Sequence, residues 1–282
     1  MTTALKDREL TNWTSVAPGW HKHDERLRAC FASVSQRMLD AAGVRVGDRV
    51  LDIASGTGEP AIPAAERVGP TGYVLGTDFV EDMLAFARSK AAARQLGHIE
   101  FRAADGEQLA VPPGSFDVVL IRFGIMFMPD PIACLRRAHA ALRPGGRIAV
   151  ACWAQPERNP AIAVPMGVIK RYLEVPPPAP GAPNIFAFAD AERLRGALAE
   201  AGFRDVTIGE AAVANGGEFA DGAAFFTFIR EIAGPIARLY DQLSEVLRAR
   251  VAEEIAREVE TYRNQAGRVA VPGVTWIAGG VA

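Results

Sequence analysis

The chain has 282 residues, which corresponds to one or two domains and is long enough to bury a large core without disulfide support. Hydrophobic residues make up 49% and charged residues 23%, close to the average of soluble globular proteins, which excludes a disordered or fibrous chain. The 31 Lys and Arg against 33 Asp and Glu give a formal charge of −2 without any basic run. We therefore expect no nucleic-acid partner.

Membrane and disulfide signals are weak in this sequence. No apolar run reaches the length of a membrane span, and the first residues lack the apolar core of a signal peptide, so we expect a cytoplasmic protein. The cysteines Cys30, Cys134 and Cys152 are far apart and lack C-x-x-C spacing. This pattern predicts buried thiols, with neither a disulfide framework nor a metal site. The sequence leaves the oligomeric state open.

From Arg49 to about Ile208, short β-branched apolar runs alternate with helical stretches, which predicts an α/β fold with a parallel sheet. The predicted strands are Arg49–Ala54, Tyr73–Asp78, Ile99–Ala103, Phe116–Arg122 and Arg147–Trp153. The predicted crossover helices are Val80–Leu96 and Pro131–Leu142. The run Leu142–Gly146 predicts a helix stop and a tight turn.

Two segments extend beyond this core. Val175–Asn184 is too rich in proline for a helix or strand interior, and we expect a semi-rigid loop or the hinge of a lid. Asp221–Arg263 predicts a helical cap inserted before a last strand near Val269–Ile277. Its apolar stripe is compatible both with packing on its own domain and with substrate contact. The stripe comprises Leu243, Val246, Leu247, Val251, Ile255, Val259 and Tyr262.

We accordingly expect three parts of the chain. Residues 1–44 form an N-terminal helical cap region, residues 45–215 with 266–282 form the α/β core, and residues 216–265 form a helical cap or lid inserted into it.

The run Val50–Gly58 predicts a strand that enters a glycine turn and then a helix, an arrangement that lets a ligand approach the backbone. Gly56, Gly58 and Ala61 also fit the G-x-G-x-x-A pattern of dinucleotide binders. Against that reading, Asp52 places a carboxylate beside the turn, where it would repel a pyrophosphate and attract a cationic ligand.

Two further acids follow the next strands. Asp78 suits a ribose diol, and Asp105 suits an exocyclic amine as hydrogen-bond acceptor. Because parallel strands bind ligands at their carboxyl ends, Asp52, Asp78, Asp105 and Arg122 should converge on one crevice. Asp52 and Asp78 could alternatively serve only as local caps of the backbone.

Five motifs in order resemble those of the class I S-adenosylmethionine-dependent methyltransferases, within them the branch of the ubiquinone/menaquinone-biosynthesis C-methyltransferases. They are VLDIASGTG, GTDFVEDML, RAADGEQL, FDVVLIRFGIMFMPDP and LRPGGR, and they span about residues 43–153. The resemblance implies a Rossmann-like doubly wound sheet of seven strands, the last of them antiparallel, with S-adenosyl-L-methionine as cofactor. Ala54 departs from the family pattern, which often has its first glycine there.

The resemblance also implies roles for individual residues. The methionine part of the cofactor would be held by Asp52, Ser55, Gly56, Thr57 and Gly58. Asp78 would bind the ribose, and Phe79 and Met83 would flank the adenine. Its amino group would be read by Asp105 with Gly106, and Arg122 with Phe123 would close the pocket floor.

The acceptor side is less defined. Trp20, Phe127 and Trp153 are candidate substrate contacts, and His21 and His23 are candidate bases although neither lies in a recognisable motif. We expect methyl transfer to the O, N or C atom of a small, aromatic or apolar acceptor. Two alternatives remain, a non-catalytic S-adenosylmethionine-binding subunit and an NAD-dependent oxidoreductase.

Overall fold

The structure is a computed structural model that describes residues 2–176 and 182–282. At its centre lies one sheet with the strand order β3-β2-β1-β4-β5-β7-β6. The strands are β1 (Arg49–Ile53), β2 (Tyr73–Asp78), β3 (Ile99–Ala103), β4 (Phe116–Arg122), β5 (Leu142–Trp153), β6 (Arg204–Ala214) and β7 (Pro272–Val281). The last strand, β7, is inserted between β5 and β6 and runs antiparallel to both. The predicted Rossmann-like α/β sheet of seven strands with an antiparallel last strand is confirmed.

Ten helices of four residues or more surround the sheet in the described part of the chain. They are α1 (Thr2–Lys22), α2 (Asp24–Ala41), α3 (Ala61–Val68), α4 (Glu81–Ala93), α5 (Pro131–Ala141), α6 (Pro160–Ile169), α7 (Ala191–Glu200), α8 (Gly222–Ile232), α9 (Gly234–Asp241) and α10 (Glu245–Val259). Helix α5 starts where the sequence predicts, because Asp130 accepts a hydrogen bond from the Ala133 amide at 2.9 Å and Pro131 occupies the first turn. Helices α4 and α5 confirm the two predicted crossovers.

The predicted tight turn at Leu142–Gly146 is wrong in detail. The chain passes from α5 directly into β5, where Leu142 pairs with Phe116, and the register shifts before Val118 pairs with Arg147. Gly145 takes a φ of 77°, so the glycine serves an irregularity inside the strand.

The predicted helical cap is present as α8, α9 and α10, inserted between β6 and β7. Ser244 caps α10 through the Leu247 amide, and Val251, Ile255 and Val259 are buried in the main core. The stripe is therefore mainly a packing surface. Val246, which the sequence assigned to it, is wrong in that role because 81% of the residue is exposed.

Of the proline-rich segment Val175–Asn184, residues 177–181 lie outside the described residues, and the prediction of a loop or lid hinge for them stays a prediction. No helix in the described ranges combines the length and the apolar character needed to cross a membrane.

Candidate functional site

A cavity of about 230 Å³ lies at the carboxyl ends of β1, β2, β3 and β4 and is covered by α1. The sequence placed Asp78, Asp105 and Arg122 at this edge, and all three line the cavity. Six other predicted cofactor contacts line it as well: Ser55, Gly56, Thr57, Phe79, Met83, and Gly106, and so does Phe123 at its floor.

The loop after β1 has the positive backbone φ angles that its glycines predict. Gly56 and Gly58 take φ values of 51° and 95°, in the left-handed region that glycine enters without penalty. Ala54 enters the same region at a φ of 59°, at the position where the resembling family often has glycine. Gly58 does not itself line the cavity, and its role there is to turn the chain into α3.

Asp78 holds this loop in place. One oxygen of its buried carboxylate accepts a hydrogen bond from the Gly56 amide at 2.8 Å, and the other accepts one from the Val80 amide at 2.9 Å. Burial raises the pKa of Asp78, and these two amides act in the opposite direction. The local capping role is therefore real, and each oxygen keeps acceptor capacity toward the cavity.

Asp52 lies behind the loop and outside the cavity lining. It is 0% exposed, and neither of its carboxylate oxygens has a hydrogen-bond partner in the described part of the chain. Burial raises the pKa of Asp52 well above its ordinary value, and the charge of Arg122 opposes that rise. Its contact with a ligand, implied by the resemblance, stays a prediction.

Arg122, the last residue of β4, contacts α2. Its Nη1 donates to Ser35 Oγ at 3.1 Å, and its guanidinium lies 5.5 Å from the ring centre of Phe31 and 5.9 Å from that of Phe123. Burial lowers the pKa of Arg122, while Glu59 and Asp52 raise it. The guanidinium is thus a buried cation with two buried acids near it.

The acid predicted for the adenine end is already engaged by α1. Lys6 Nζ lies 2.5 Å from Asp105 Oδ2 and 2.6 Å from Glu107 Oε2. Burial alone would lower the pKa of Lys6, but its hydrogen bonds to the two carboxylates reverse the effect and raise it. A ligand amine at Asp105 would therefore share the carboxylate with Lys6.

The cavity is lined by several acids and contains buried oxygen atoms that accept no hydrogen bond from the described residues. In the described residues, Ser55 Oγ and Glu59 Oε1 are buried without a hydrogen-bond partner. S-Adenosylmethionine is a cation that carries an ammonium group, ribose hydroxyls and an exocyclic amine, all of them donors. The residues present therefore fit this cofactor in charge and in hydrogen-bonding capacity.

Three aromatic rings, those of Trp13, Trp20 and Phe127, also line the cavity. Trp13 lies 6.0 Å from Trp20 and 5.1 Å from Phe127 between ring centres, in edge-on arrangements. The predicted substrate contacts Trp20 and Phe127 line the cavity. Trp153 stacks on Phe123 at 4.6 Å and supports it from behind, outside the lining itself.

The structure does not bring the two candidate histidines to this cavity. His21 contacts the ring of Phe86 and lines a neighbouring surface pocket. His23 pairs with Glu231 of α8 and packs on Phe228. Their role as bases was a prediction and receives no support from these positions.

Sequence reasoning missed Lys6 and Glu9 on α1 and Glu59 after the glycine turn, and it placed Trp13 in the N-terminal cap region without a role as a contact; all four line the cavity. The available signal was the spacing of Lys6, Glu9, Trp13 and Trp20, which places them along one face of a helix. Charged residues on that face do not form the apolar stripe for which amphipathic helices are recognised.

Comparison with known proteins agrees with this site. Residues 32–167 match the ubiE/COQ5 methyltransferase family, and this range contains β1 to β5. Nocamycin O-methyltransferase of Saccharothrix syringae is 43% identical over 118 residues, which is 42% of each chain. The ubiquinone/menaquinone biosynthesis C-methyltransferase UbiE of Pseudomonas putida is 41% identical over 119 residues, 42% of this chain and 46% of that protein. The chain thus spans less than half the length of these curated relatives.

The similarity to solved structures concerns the fold alone, because their sequence identity to this chain is low. Phosphoethanolamine N-methyltransferase 2 of Haemonchus contortus, solved with S-adenosyl-L-methionine, has a TM-score of 0.53 at 19% identity and covers 88% of this chain and 51% of its own. The [4+2]-cyclase SpnF has a TM-score of 0.52 at 20% identity, covering 88% of this chain and 79% of its own. The same fold therefore also carries chemistry that is not methyl transfer. The motif order, the seven-stranded topology and the match of residues 32–167 together show that this part of the chain is similar to the ubiE/COQ5 methyltransferase family.

Proposed function

We propose that the chain transfers a methyl group from S-adenosyl-L-methionine to a small, aromatic or apolar acceptor. The observation that carries the proposal is the cavity itself, whose lining combines carboxylates at the strand ends with the aromatic rings of Trp13, Trp20 and Phe127. The acids suit a cationic cofactor, and the rings suit an apolar acceptor beside it.

The cofactor supplies a methyl group on a positively charged sulfur, which is already activated for displacement. The protein's part is to hold the two reactants in line and to exclude water. Asp78 and Asp105 offer acceptors for the ribose and the adenine amine, and Arg122 offers a cation for a carboxylate. Helix α1 covers the cavity, and we infer that the N-terminal residues 1–44 act as the cap over the cofactor.

Two other functions were open from the sequence. An NAD-dependent oxidoreductase requires a pyrophosphate at the glycine loop, and the buried acids Asp52 and Glu59 near that loop would not favour a further anion there. A non-catalytic S-adenosylmethionine-binding subunit would share the acid-lined half of the cavity. It would have no need of the aromatic wall, which favours an enzyme.

Calorimetric titration with S-adenosylmethionine, S-adenosylhomocysteine and NAD tests the cofactor. We expect micromolar binding of the two adenosyl ligands and none of NAD. Asp105→Asn should weaken that binding by about tenfold, the effect of removing a charged hydrogen-bond acceptor. Asp241→Asn, an exposed site on α9, is the matched control. Binding of NAD, or of none of the three, would contradict the proposal.

A further inference from the structure

Glu9 is a buried acid on the side of α1 that faces the cavity. It is 6% exposed and lines the cavity. Its Oε1 accepts hydrogen bonds from Arg8 Nε at 3.2 Å and Arg8 Nη2 at 3.1 Å. Its Oε2 is buried and, within residues 2–176 and 182–282, finds no donor. One oxygen is thus fixed by a neighbouring guanidinium while the other stays free.

The surroundings of Glu9 do not supply the missing donor. Lys6, one turn earlier on α1, is committed to Asp105 and Glu107 at 2.5 and 2.6 Å. One turn later, Trp13 packs edge-on against Phe127. Glu9 Oε2 therefore lies between an ion pair that is already complete and an aromatic wall. A buried acceptor without a partner destabilises the protein, so a donor from a ligand would be favoured there.

We propose that Glu9 recognises the methyl acceptor by accepting a hydrogen bond from a hydroxyl group on it, while the body of the acceptor packs against Trp13 and Phe127. This inference rests on the proposed function and narrows the acceptor to a hydroxylated aromatic or apolar molecule. A hydroxyl brings the single donor that the single free oxygen requires. Arg8 orients the carboxylate from the solvent side and makes it a preorganised specificity determinant.

The test compares two probes that differ in one donor. Calorimetry measures the binding of 2-naphthol and of 2-methoxynaphthalene to the protein saturated with S-adenosylhomocysteine. We expect the wild type to bind 2-naphthol about tenfold tighter or more, because a hydroxyl hydrogen bond to a charged group is lost in the methoxy compound. Glu9→Gln should reduce this preference to about threefold or less, because Arg8 takes the one amide oxygen and leaves the NH2 group, which is a donor, at the free position.

Two controls separate the possible failures. Glu25→Gln, at an exposed position of α2, should keep the wild-type preference. Glu9→Gln should still bind S-adenosylhomocysteine within about twofold of the wild type, which also shows that the variant is folded. Equal binding of the two probes, or binding of neither, by the loaded wild type would overturn the inference. So would a Glu9→Gln variant that keeps the preference, or one that loses S-adenosylhomocysteine. If the wild type does not bind S-adenosylhomocysteine, the proposed function itself fails.

Discussion

Lys6 Nζ lies 2.5 Å from Asp105 Oδ2 and joins the first helix to the loop after β3, across 99 positions of sequence. The same ammonium contacts Glu107, whose other oxygen accepts from the Asp130 amide at 2.8 Å. A single cation thereby links α1, the loop after β3 and, through Glu107, the start of α5.

Removing this cation should destabilise the protein. Lys6→Met leaves Asp105 and Glu107 without their counter-charge, and we expect the free energy of unfolding to fall by roughly 1–2 kcal/mol, between the values for exposed and buried ion pairs. Lys22→Met is the matched control, because Lys22 is mostly exposed in its pair with Glu231 and should change stability by less than about 0.5 kcal/mol. Urea unfolding of both variants measures the difference, and equal losses would argue against the linking role of Lys6.

Ala54 and Gly124 lie so close together that a larger side chain at one position affects the other. A Cβ added to Gly124 would lie 2.4 Å from the Cβ of Ala54, and its next neighbours are 3.7 Å away or more. We expect Gly124→Ala to destabilise the protein by roughly 1–3 kcal/mol through overpacking.

The double variant Ala54→Gly/Gly124→Ala should recover most of that loss, because the clashing atom is gone. Ala54→Gly alone should change stability little, since relief of the positive φ at Ala54 offsets the entropy that glycine loses on folding. As a comparison, Ala85→Gly within α4 should lower the free energy of unfolding by roughly 1 kcal/mol. Denaturant unfolding of the wild type, the two single variants at Ala54 and Gly124 and the double variant forms a double-mutant cycle, and simple additivity would refute the contact.

The ligand-free protein should lose stability at Asp52 as the pH rises. The pKa of Asp52 is raised by burial above its ordinary value of 3.8, so its folded state holds the proton more tightly than its unfolded state. The contribution of Asp52 is then complete below pH 3.8 and is lost as the pH increases through the raised pKa. Asp52→Asn removes this titration.

The measurement is the free energy of unfolding of wild type and Asp52→Asn over a pH series without ligand. The difference, wild type minus variant, should decrease from acidic to neutral pH. A difference that is constant, or that grows with pH, would show that Asp52 is stabilised as the anion in the folded protein. A positively charged ligand should favour that anion, and we expect S-adenosylmethionine to bind more tightly as the pH rises through the same interval.

His21, at the end of α1, and His23, which precedes α2, should contribute to packing and not to the reaction. His21 lies against Phe86 and His23 pairs with Glu231, both outside the lining of the main cavity. Replacing both by Gln should leave S-adenosylhomocysteine binding within about twofold and the unfolding free energy lower by roughly 1 kcal/mol. A large loss of S-adenosylhomocysteine affinity in a folded double variant would show that at least one of these histidines contributes to ligand binding.

Most of the parallel sheet could be predicted from the sequence, because its strands are short apolar runs with clear boundaries. β2, β3 and β4 have the predicted limits, and β1 ends one residue early at Ile53, where Ala54 begins the left-handed turn. β5 was missed at its start because pairing of Leu142 with Phe116 extends it through a proline and two glycines. Local propensity cannot anticipate a partner strand.

The sequence by itself determined the fold class and the acids at the strand ends, because a parallel sheet brings the carboxyl ends of its strands to one edge. Only the tertiary structure decided which helix covers that edge and what it contributes. Lys6 and Trp13 contact Asp105 and Phe127, about a hundred positions away, and Glu9 lines the same cavity from α1. No spacing within α1 encodes those partners, since they depend on how the helix docks on the finished sheet.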